Sequence, residues 1–390
     1  MNIQAIRNDI VNYGDKIFLN SAGSSLMPKS VRQVIDQYLV EEESYGGYKL
    51  ADMRAKDLDQ LYHEAALLLN CSCDNIAFAH DATDAYIKAL SSIPFQKGDI
   101  IITSQDDYAS NQIQFISLQQ RFGIQIKRIR TLDNGDIDLD HFEDLISEKQ
   151  PTLVAITHIP TNSGKIQDVE AIGEICHQHD ILYLVDACQS VGQIQVDVKK
   201  IRCDFLSMTG RKFLRGPRGT GLLYVSDKVL ERQFTPLFID GYGAKWTKNE
   251  HFEIRDSAKR FQTWEAPFAL IIGLTEALRY ANQIGMVNIQ ARNAELMTHF
   301  RSRLGDIPQL HVFDNGSQLA NITTIQKNDK SLLETEAYLQ KHQVFYSVST
   351  LEWGLIDFTQ KGVEWVIRLS PHYFNTMEEL DKTCRLLAEL

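Results

Sequence analysis

The stretch Ile181-Leu-Tyr-Leu-Val-Asp186 is an apolar run that ends in an acid. Further along the chain come the segment Phe205–Lys212, a glycine-rich loop at Gly216–Gly221 and a second apolar run, Leu222–Val225. Uninterrupted apolar strands are typical of a parallel α/β sheet that is buried on both faces. An acid at the carboxyl end of such a strand lies where open α/β sheets bind their ligands. The stretch therefore predicts an α/β fold with a ligand site beside Asp186.

Strands and helices alternate along the chain from about residue 75 to residue 225. This alternation predicts a mostly parallel central sheet flanked by helices. After Pro267 the pattern changes to a long helical run, about Ala269–Leu304, followed by a few strands separated by helices. That change predicts a smaller α+β domain towards the carboxyl terminus.

A chain of 390 residues is too long for one ordinary core, so two domains are expected. We assign residues 17–270 to a large ligand-binding domain. Residues 1–16, expected to form a short helix, and residues 271–390 are assigned to the small domain.

Composition excludes several classes of partner. The net charge of −11 argues against nucleic-acid binding, which uses a basic surface. No apolar run has membrane-spanning length, and the first residues lack a hydrophobic signal core. Six scattered cysteines are typical of a reduced, cytoplasmic protein. Neither Cys71-Ser-Cys73 nor His177-Gln-His179 has the spacing of a metal site, so no metal is expected.

Asp186 and Lys212 are 26 residues apart, and each lies beside an apolar strand. A buried acid and a buried lysine separated by a flat ligand is the arrangement that pyridoxal 5'-phosphate (PLP) requires. The lysine forms the Schiff base and the acid partners the pyridinium nitrogen. The alternatives are a surface lysine and a helix-capping aspartate. The strand positions and the neighbouring glycines favour the catalytic cofactor site.

Asp81-Ala82-Thr83 follows the predicted strand Asn75–Ala79 and begins a helix. Unpaired N–H groups at the start of a helix attract a phosphate, and a threonine hydroxyl adds a donor. Ala82 and Thr83 are therefore expected to bind the phosphate of the cofactor. Thr83 also suits a simple capping role.

Taken together, these blocks resemble the class V aminotransferase family, whose members share the PLP fold type I architecture. The resemblance runs from Phe18 to the final helix. It looks closest to ergothioneine-type C–S lyases and to isopenicillin-N-epimerase-like proteins. It implies PLP as cofactor, a small amino-acid-like substrate and a homodimer with active sites at the subunit interface.

The resemblance also implies roles for further cofactor-binding residues. Tyr108, where many relatives carry histidine, would stack on the cofactor ring. Asn162, in the block His158–Gly164, would reach the phenolic oxygen of the cofactor or the substrate. Gln189 would donate to that same oxygen, and Thr209 would bind the phosphate.

Substrate-binding residues follow from the same resemblance. Arg368 would bind the substrate carboxylate, a task that suits its planar guanidinium; a structural ion pair is the alternative. Ser21 and Ala22 belong to the block that resembles the family's amino-terminal active-site loop.

Two departures from the cysteine desulfurase pattern lie beside the predicted cofactor-binding residues. Arg211 precedes the lysine where desulfurases usually carry histidine. Arg211 or Arg218 is a candidate to stabilise an anionic leaving group. The segment Arg260–Glu265 replaces the desulfurase-type block whose hydroxyl a neighbouring subunit offers to the phosphate. Trp264 or Thr263 is expected to take over that contact.

A third departure bears on the reaction. The stretch Val344–Val366 contains no cysteine, whereas desulfurases carry their nucleophile there. Cys188 and Cys203 are expected to be buried packing residues. The pattern therefore favours a PLP-dependent C–S lyase that performs β-elimination on a cysteine-derived S-conjugate or sulfoxide, as in ergothioneine-type sulfur metabolism. A PLP-dependent aminotransferase of a small amino acid and a non-catalytic PLP-fold protein are the alternatives.

Overall fold

The computed structural model describes residues 1–390. The strands are β1 (Ile17–Phe18), β2 (Ile76–Ala79), β3 (Ile100–Thr103), β4 (Gln125–Arg128), β5 (Leu153–Thr157), β6 (Leu182–Asp186), β7 (Phe205–Thr209), β8 (Gly221–Val225), β9 (Ala244–Lys248), β10 (His251–Ile254), β11 (Leu310–Val312), β12 (Thr323–Lys327), β13 (Val344–Phe345), β14 (Ser347–Thr350) and β15 (Trp365–Leu369).

The helices are α1 (Ile3–Asn8), α2 (Ser21–Ser24), α3 (Lys29–Tyr45), α4 (Gly47–Met53), α5 (Ala55–Leu69), α6 (Ala82–Ser92), α7 (Ala109–Phe122), α8 (Leu139–Glu148), α9 (Val169–Gln178), α10 (Val198–Ile201), α11 (Asp227–Glu231), α12 (Phe268–Ile284), α13 (Met286–Gly305), α14 (Leu332–Lys341), α15 (Leu355–Lys361) and α16 (Met377–Glu389). Short 3₁₀ turns lie at Cys73–Asn75, Ala258–Phe261 and Leu351–Trp353. None of the helices combines the length and the apolar composition that a membrane crossing requires.

The central sheet has seven strands in the order β2-β8-β7-β6-β5-β3-β4. The five strands from β7 to β4 are parallel, whereas β8 runs antiparallel to both β7 and β2. This topology confirms the predicted mostly parallel α/β sheet.

Alternate side chains of the central strands point to opposite faces, as the period of a strand requires. In β6, Tyr183 and Val185 join the larger apolar core. Their neighbours Leu182 and Leu184 join a second core on the other face. Helices α5, α8, α9 and α12 contribute to the first core, and α6, α7 and α11 to the second. Because helices cover both faces, ligands have access mainly at the strand ends.

A second sheet is formed by the carboxyl-terminal part of the chain. Its four antiparallel strands have the order β11-β12-β15-β14. Apolar side chains of α13, α14 and α16 pack with it in a separate core. Strand β15 contains Arg368, whose side chain contacts Thr161 in the loop after β5. The division of the chain at residue 270 stays a prediction; helix α12, just beyond it, packs against α3 and α5.

Three local features differ from the expectations. The helix expected over residues 1–16 is limited to Ile3–Asn8. The long run Ala269–Leu304 is two helices, because Gly285 adopts a φ of +86° between them. The hairpin of β9 and β10 was not expected, since its side chains are mostly exposed and show no core-facing alternation.

Candidate active site

A cavity of about 280 Å³ opens at the carboxyl ends of β5, β6 and β7, beside the amino-terminal ends of α6 and α7. Seven of the residues singled out from the sequence line it: Ala82, Thr83, Tyr108, Asp186, Gln189, Thr209 and Lys212. The remaining lining residues are Asp81, Thr157, Ile159, Thr161, Cys188, Arg211, Arg218 and Gly219. The parallel register explains the convergence, because Thr157 pairs with Asp186 and Asp186 with Ser207 across adjacent strands.

Asp186 is held rigidly at the end of β6. Its Oδ1 accepts a hydrogen bond from the N–H of Cys188 at 2.9 Å, and its Oδ2 accepts one from Asn111 Nδ2 at 3.0 Å. The side chain is almost fully buried. Sequence reasoning did not find Asn111. A signal existed, because Asn111 follows Asp107 by four residues at the start of a helix, which places both side chains on one face.

Asp107 is a second buried carboxylate next to Asp186. It accepts hydrogen bonds from Thr103 Oγ1 at 2.9 Å, from Asn111 Nδ2 at 3.0 Å and from Thr157 Oγ1. Burial raises the pKa of Asp107 to about 6; the hydrogen bonds of Thr157 and Asn111 oppose this rise and the charge of Asp186 adds to it. The Asn111 amide therefore bridges two buried carboxylates.

Lys212 is buried in the cavity wall, and its Nζ makes no hydrogen bond or ion pair within the chain. Burial is the main cause that lowers the pKa of Lys212, and the neighbouring Arg211 lowers it further, against the opposing effects of Cys188 and Asp186. A lowered pKa increases the fraction of neutral amine, which is the nucleophilic and basic form.

One end of the cavity is basic. Helix α6 starts there, and the amino-terminal N–H groups of a helix lack partners within the helix. Arg211 and Arg218 line the same cavity, and Arg211 Nη1 donates to Thr209 Oγ1 at 3.0 Å. Sequence reasoning had considered these arginines only for a leaving group. Cations beside a helix start form a suitable site for a phosphate dianion.

The cavity residues fit PLP. A phosphate matches the basic end, the Lys212 amine is free, and Asp186 offers a carboxylate to a ring nitrogen. Gln189 donates through Nε2 to Ala22 O at 3.2 Å and to Thr161 Oγ1 at 2.9 Å, whereas its buried Oε1 has no partner in the chain.

Arg368, Ser21 and Ala22 lie just behind the cavity wall. Arg368 Nη1 donates to Thr161 Oγ1, and its Nε has no partner in the chain. Burial lowers the pKa of Arg368 to about 10, so the guanidinium stays charged at neutral pH. Ser370 Oγ accepts a hydrogen bond from the N–H of Ala22 at 2.9 Å, which ties the Ser21–Ser24 helix to the strand end that carries Arg368.

Two of the expected cofactor contacts are absent within a single chain. Asn162 lies outside the cavity and donates through Nδ2 to Trp353 O at 3.2 Å; its neighbour Thr161 lines the cavity instead. Trp264 is 64% exposed and packs edge-on against Tyr242. Cys188, expected to be a packing residue, lines the cavity, whereas Cys203 is buried.

Comparisons with known proteins agree with the fold. A "probable cysteine desulfurase" of Methanothermobacter thermautotrophicus is 27% identical over 400 residues, which covers 100% of this chain and 98% of that protein. The apo structure of a cysteine desulfurase from Thermococcus onnurineus NA1 has a TM-score of 0.91 at 24% identity and covers 99% of this chain and 97% of that one. The cystine C–S lyase C-DES, solved with cysteine persulfide, has a TM-score of 0.85 at 18% identity over 97% and 98% of the two chains. Residues 17–383 match the family model described as "Aminotransferase class-V". This chain therefore belongs to the class V aminotransferase family.

Proposed function

We propose that this protein is a C–S lyase that performs β-elimination on a cysteine-derived S-conjugate or sulfoxide. As a member of its family it is a PLP-dependent enzyme. The observation that carries the proposal is a cavity with Lys212, Asp186 and the nearby Arg368, in a chain without a cysteine in the segment before Arg368. The names of its relatives, cysteine desulfurase and cystine C–S lyase, support chemistry at a carbon–sulfur bond.

The chain's own residues suit each part of that reaction. PLP, when bound, supplies an electron sink for the carbanion at Cα. Arg368 would hold the substrate carboxylate and so orient the Cα–H bond. Lys212 Nζ would accept the Cα proton, a role that its lowered pKa favours. Asp186, fixed by Cys188 N–H and Asn111, would keep the ring nitrogen protonated.

The elimination requires no oxidant or reductant. The Cα–H and Cβ–S bonds break, a carbon–carbon double bond forms, and the electron pair of the Cβ–S bond leaves with sulfur. The products are a thiol, or a sulfenic acid from a sulfoxide, and 2-aminoacrylate. Water hydrolyses 2-aminoacrylate to pyruvate and ammonia.

Cysteine desulfuration is the second candidate, because the names of several relatives favour it. That reaction requires a thiolate that accepts sulfur. Cys188 is the cysteine that lines the cavity, and burial together with Asp186 raises the pKa of its thiol well above the usual range. We therefore favour elimination. The ergothioneine context has no support from the comparisons, so the substrate is proposed only as a cysteine-derived S-conjugate or sulfoxide.

Product analysis separates these reactions. PLP-loaded enzyme is incubated with L-cysteine and with a cysteine S-conjugate or sulfoxide, and pyruvate, alanine and thiol are quantified. Pyruvate equal to the thiol released from the S-conjugate, unchanged by Cys188→Ala, supports elimination. Alanine with an enzyme-bound persulfide would overturn it in favour of desulfuration. A strict need for an added keto acid would instead indicate transamination, and no turnover with any substrate would favour a non-catalytic protein.

We also propose that the protein forms a homodimer. Large apolar side chains are exposed in the segment between α11 and α12, and those with more than 60% exposure are Leu237, Phe238, Trp246 and Trp264. Several large exposed apolar side chains within one segment favour an interaction site. A second copy of the chain would cover it and bring Trp264 near a neighbouring active site. Analytical ultracentrifugation tests this proposal, and a monomer at micromolar concentration would contradict it.

A further inference from the structure

A second cavity, of about 210 Å³, adjoins the active-site cavity. Thr161 lines both cavities. Tyr108 lines the first one, and the residues on either side of it, Asp107 and Ala109, line the second. A group that leaves the active site past the start of α7 therefore enters this second cavity.

Aliphatic side chains of two helices form the walls of the second cavity. Ile113 and Ile116 come from α7, and Leu355 and Ile356 come from α15. Ile113 is 66% exposed and Leu355 is 62% exposed, so the chain itself leaves much of this surface uncovered. Small-molecule sites are typically concave, with apolar walls and a few placed polar groups.

The donor groups of the cavity that lack a partner suit an anion. Arg128 donates through Nη2 to Gln112 Oε1 at 2.6 Å and forms no ion pair within 4 Å, although the charge of the nearby Asp107 opposes the lowering of its pKa by burial. Arg128 Nε and Gln112 Nε2 have no hydrogen-bond partner in the chain. An arginine without an ion pair, beside unpartnered N–H donors, is suited to a carboxylate, which accepts two parallel hydrogen bonds from a guanidinium.

Most carboxylate oxygens of the acids that line the cavity are engaged or exposed; the exception is Asp106 Oδ1, which is buried without a partner. Asp106 pairs with Lys165 at 2.9 Å, and Asp357 pairs with Lys361 at 2.9 Å. Asp107 accepts hydrogen bonds from two threonines and from Asn111. Glu352 lies in an exposed turn. Arg128 is therefore the cation of this cavity that forms no ion pair.

We propose that the second cavity receives the substituent on the substrate's sulfur, and that it selects an aliphatic substituent that ends in a carboxylate. The inference rests on the proposed C–S lyase function. A water molecule occupies about 30 Å³ of liquid, so the cavity has room for a substituent of several non-hydrogen atoms. The aliphatic walls cover the methylene groups, and Arg128 with Gln112 binds the terminal carboxylate.

The test compares three substrates of the PLP-loaded enzyme: S-(2-carboxyethyl)-L-cysteine, its isosteric amide S-(2-carbamoylethyl)-L-cysteine, and S-methyl-L-cysteine. We expect kcat/KM to be about tenfold higher or more for the acid than for the amide, the effect of one charge-assisted hydrogen bond. Arg128→Gln is expected to bring the acid-to-amide ratio close to one, and Arg128→Lys to keep part of the preference. Arg130→Gln is the matched control; Arg130 is exposed and lies outside both cavities, so the ratio should not change.

Binding provides a readout that does not depend on turnover. Affinities of the acid and the amide are measured by titration calorimetry on PLP-loaded Lys212→Ala. A preference for the acid that is lost in Lys212→Ala/Arg128→Gln supports the inference even if no substrate is turned over, a result that would overturn only the lyase function. Equal affinity for acid and amide overturns the inference while the lyase function stands. If, in addition, Ile113→Arg disrupts an oligomer, the aliphatic walls belong to a subunit interface instead.

Discussion

Replacing Asn111 with leucine removes the amide that bridges the buried carboxylates of Asp107 and Asp186. Each hydrogen bond from Asn111 Nδ2 is 3.0 Å long and ends on a carboxylate oxygen. A hydrogen bond to a charged group contributes about 1.5–3 kcal/mol. Because leucine fills a similar volume, we expect the free energy of unfolding at neutral pH to fall by about 3 kcal/mol or more.

The pH dependence makes this prediction specific. Burial raises the pKa of Asp107 in the folded protein from 3.8 to about 6. The folded state then binds more protons than the unfolded state between these values, so stability falls as pH rises through this window, by about 1.4 kcal/mol per pH unit. Without the Asn111 hydrogen bond, which lowers this pKa, the folded pKa rises further. The destabilisation caused by Asn111→Leu should therefore keep increasing as the pH rises above 6.

Urea unfolding of the cofactor-free protein between pH 5 and pH 8 measures the effect. Asn321→Leu is the matched control, because Asn321 is also buried and donates through Nδ2 to Pro371 O at 3.3 Å, away from both carboxylates. The control should lose a similar amount of stability at every pH. A pH-independent loss in Asn111→Leu, parallel to that of the control, would refute the bridging role of Asn111.

Three further predictions follow from single sites. In Lys212→Ala, borohydride should no longer fix PLP covalently to the chain, because no Schiff base is present to be reduced; a chain that still carries the reduced cofactor by mass spectrometry would exclude Lys212 as the attachment point. Arg211→Gln and Arg218→Gln should each weaken PLP binding about tenfold, with little change for pyridoxal, which lacks the phosphate; equal losses for both ligands would contradict a phosphate contact. Gly192→Ala should lower the free energy of unfolding by about 3 kcal/mol or more, because its φ is +93° and the new Cβ would lie 2.5 Å from Leu214 N. Gly98→Ala is the control, because Gly98 has a φ of +87° but no atom lies within 4 Å of the new Cβ. Only backbone strain of about 1 kcal/mol is expected there. Thermal unfolding of both variants measures the difference.

Local sequence patterns were sufficient to predict the strand and the helix start that border the site. The run that ends at Asp186 is a fully buried strand of a parallel sheet, as its uninterrupted apolar character predicts. Ala82 begins a helix directly after β2, with Asp81 as its cap. These features depend on neighbours within a few residues, and the order of strands and helices then brings the strand ends together.

Local patterns did not show which of two adjacent residues points into the site. Thr161 faces the cavity, whereas Asn162, one position along the same loop, donates to Trp353 and lines the second cavity. In an irregular loop no period tells which side chain points inward. Asn111 was missed for a related reason, since its partner Asp186 is 75 residues away and lies on a different element.

The sequence by itself determined the α/β class, the family and the order of the motifs around Asp186 and Lys212. The reason is that strand burial and helix starts depend on residues that are close together in the sequence. Only the tertiary structure decided which polar groups meet across elements. It joined Asn111 to two carboxylates, placed Arg211 and Arg218 beside the start of α6, and left Arg128 without an ion pair in a cavity next to the active site. These meetings depend on how helices α6, α7 and α15 pack around the strand ends, and that packing is the sum of many long-range apolar contacts rather than a property of any one segment.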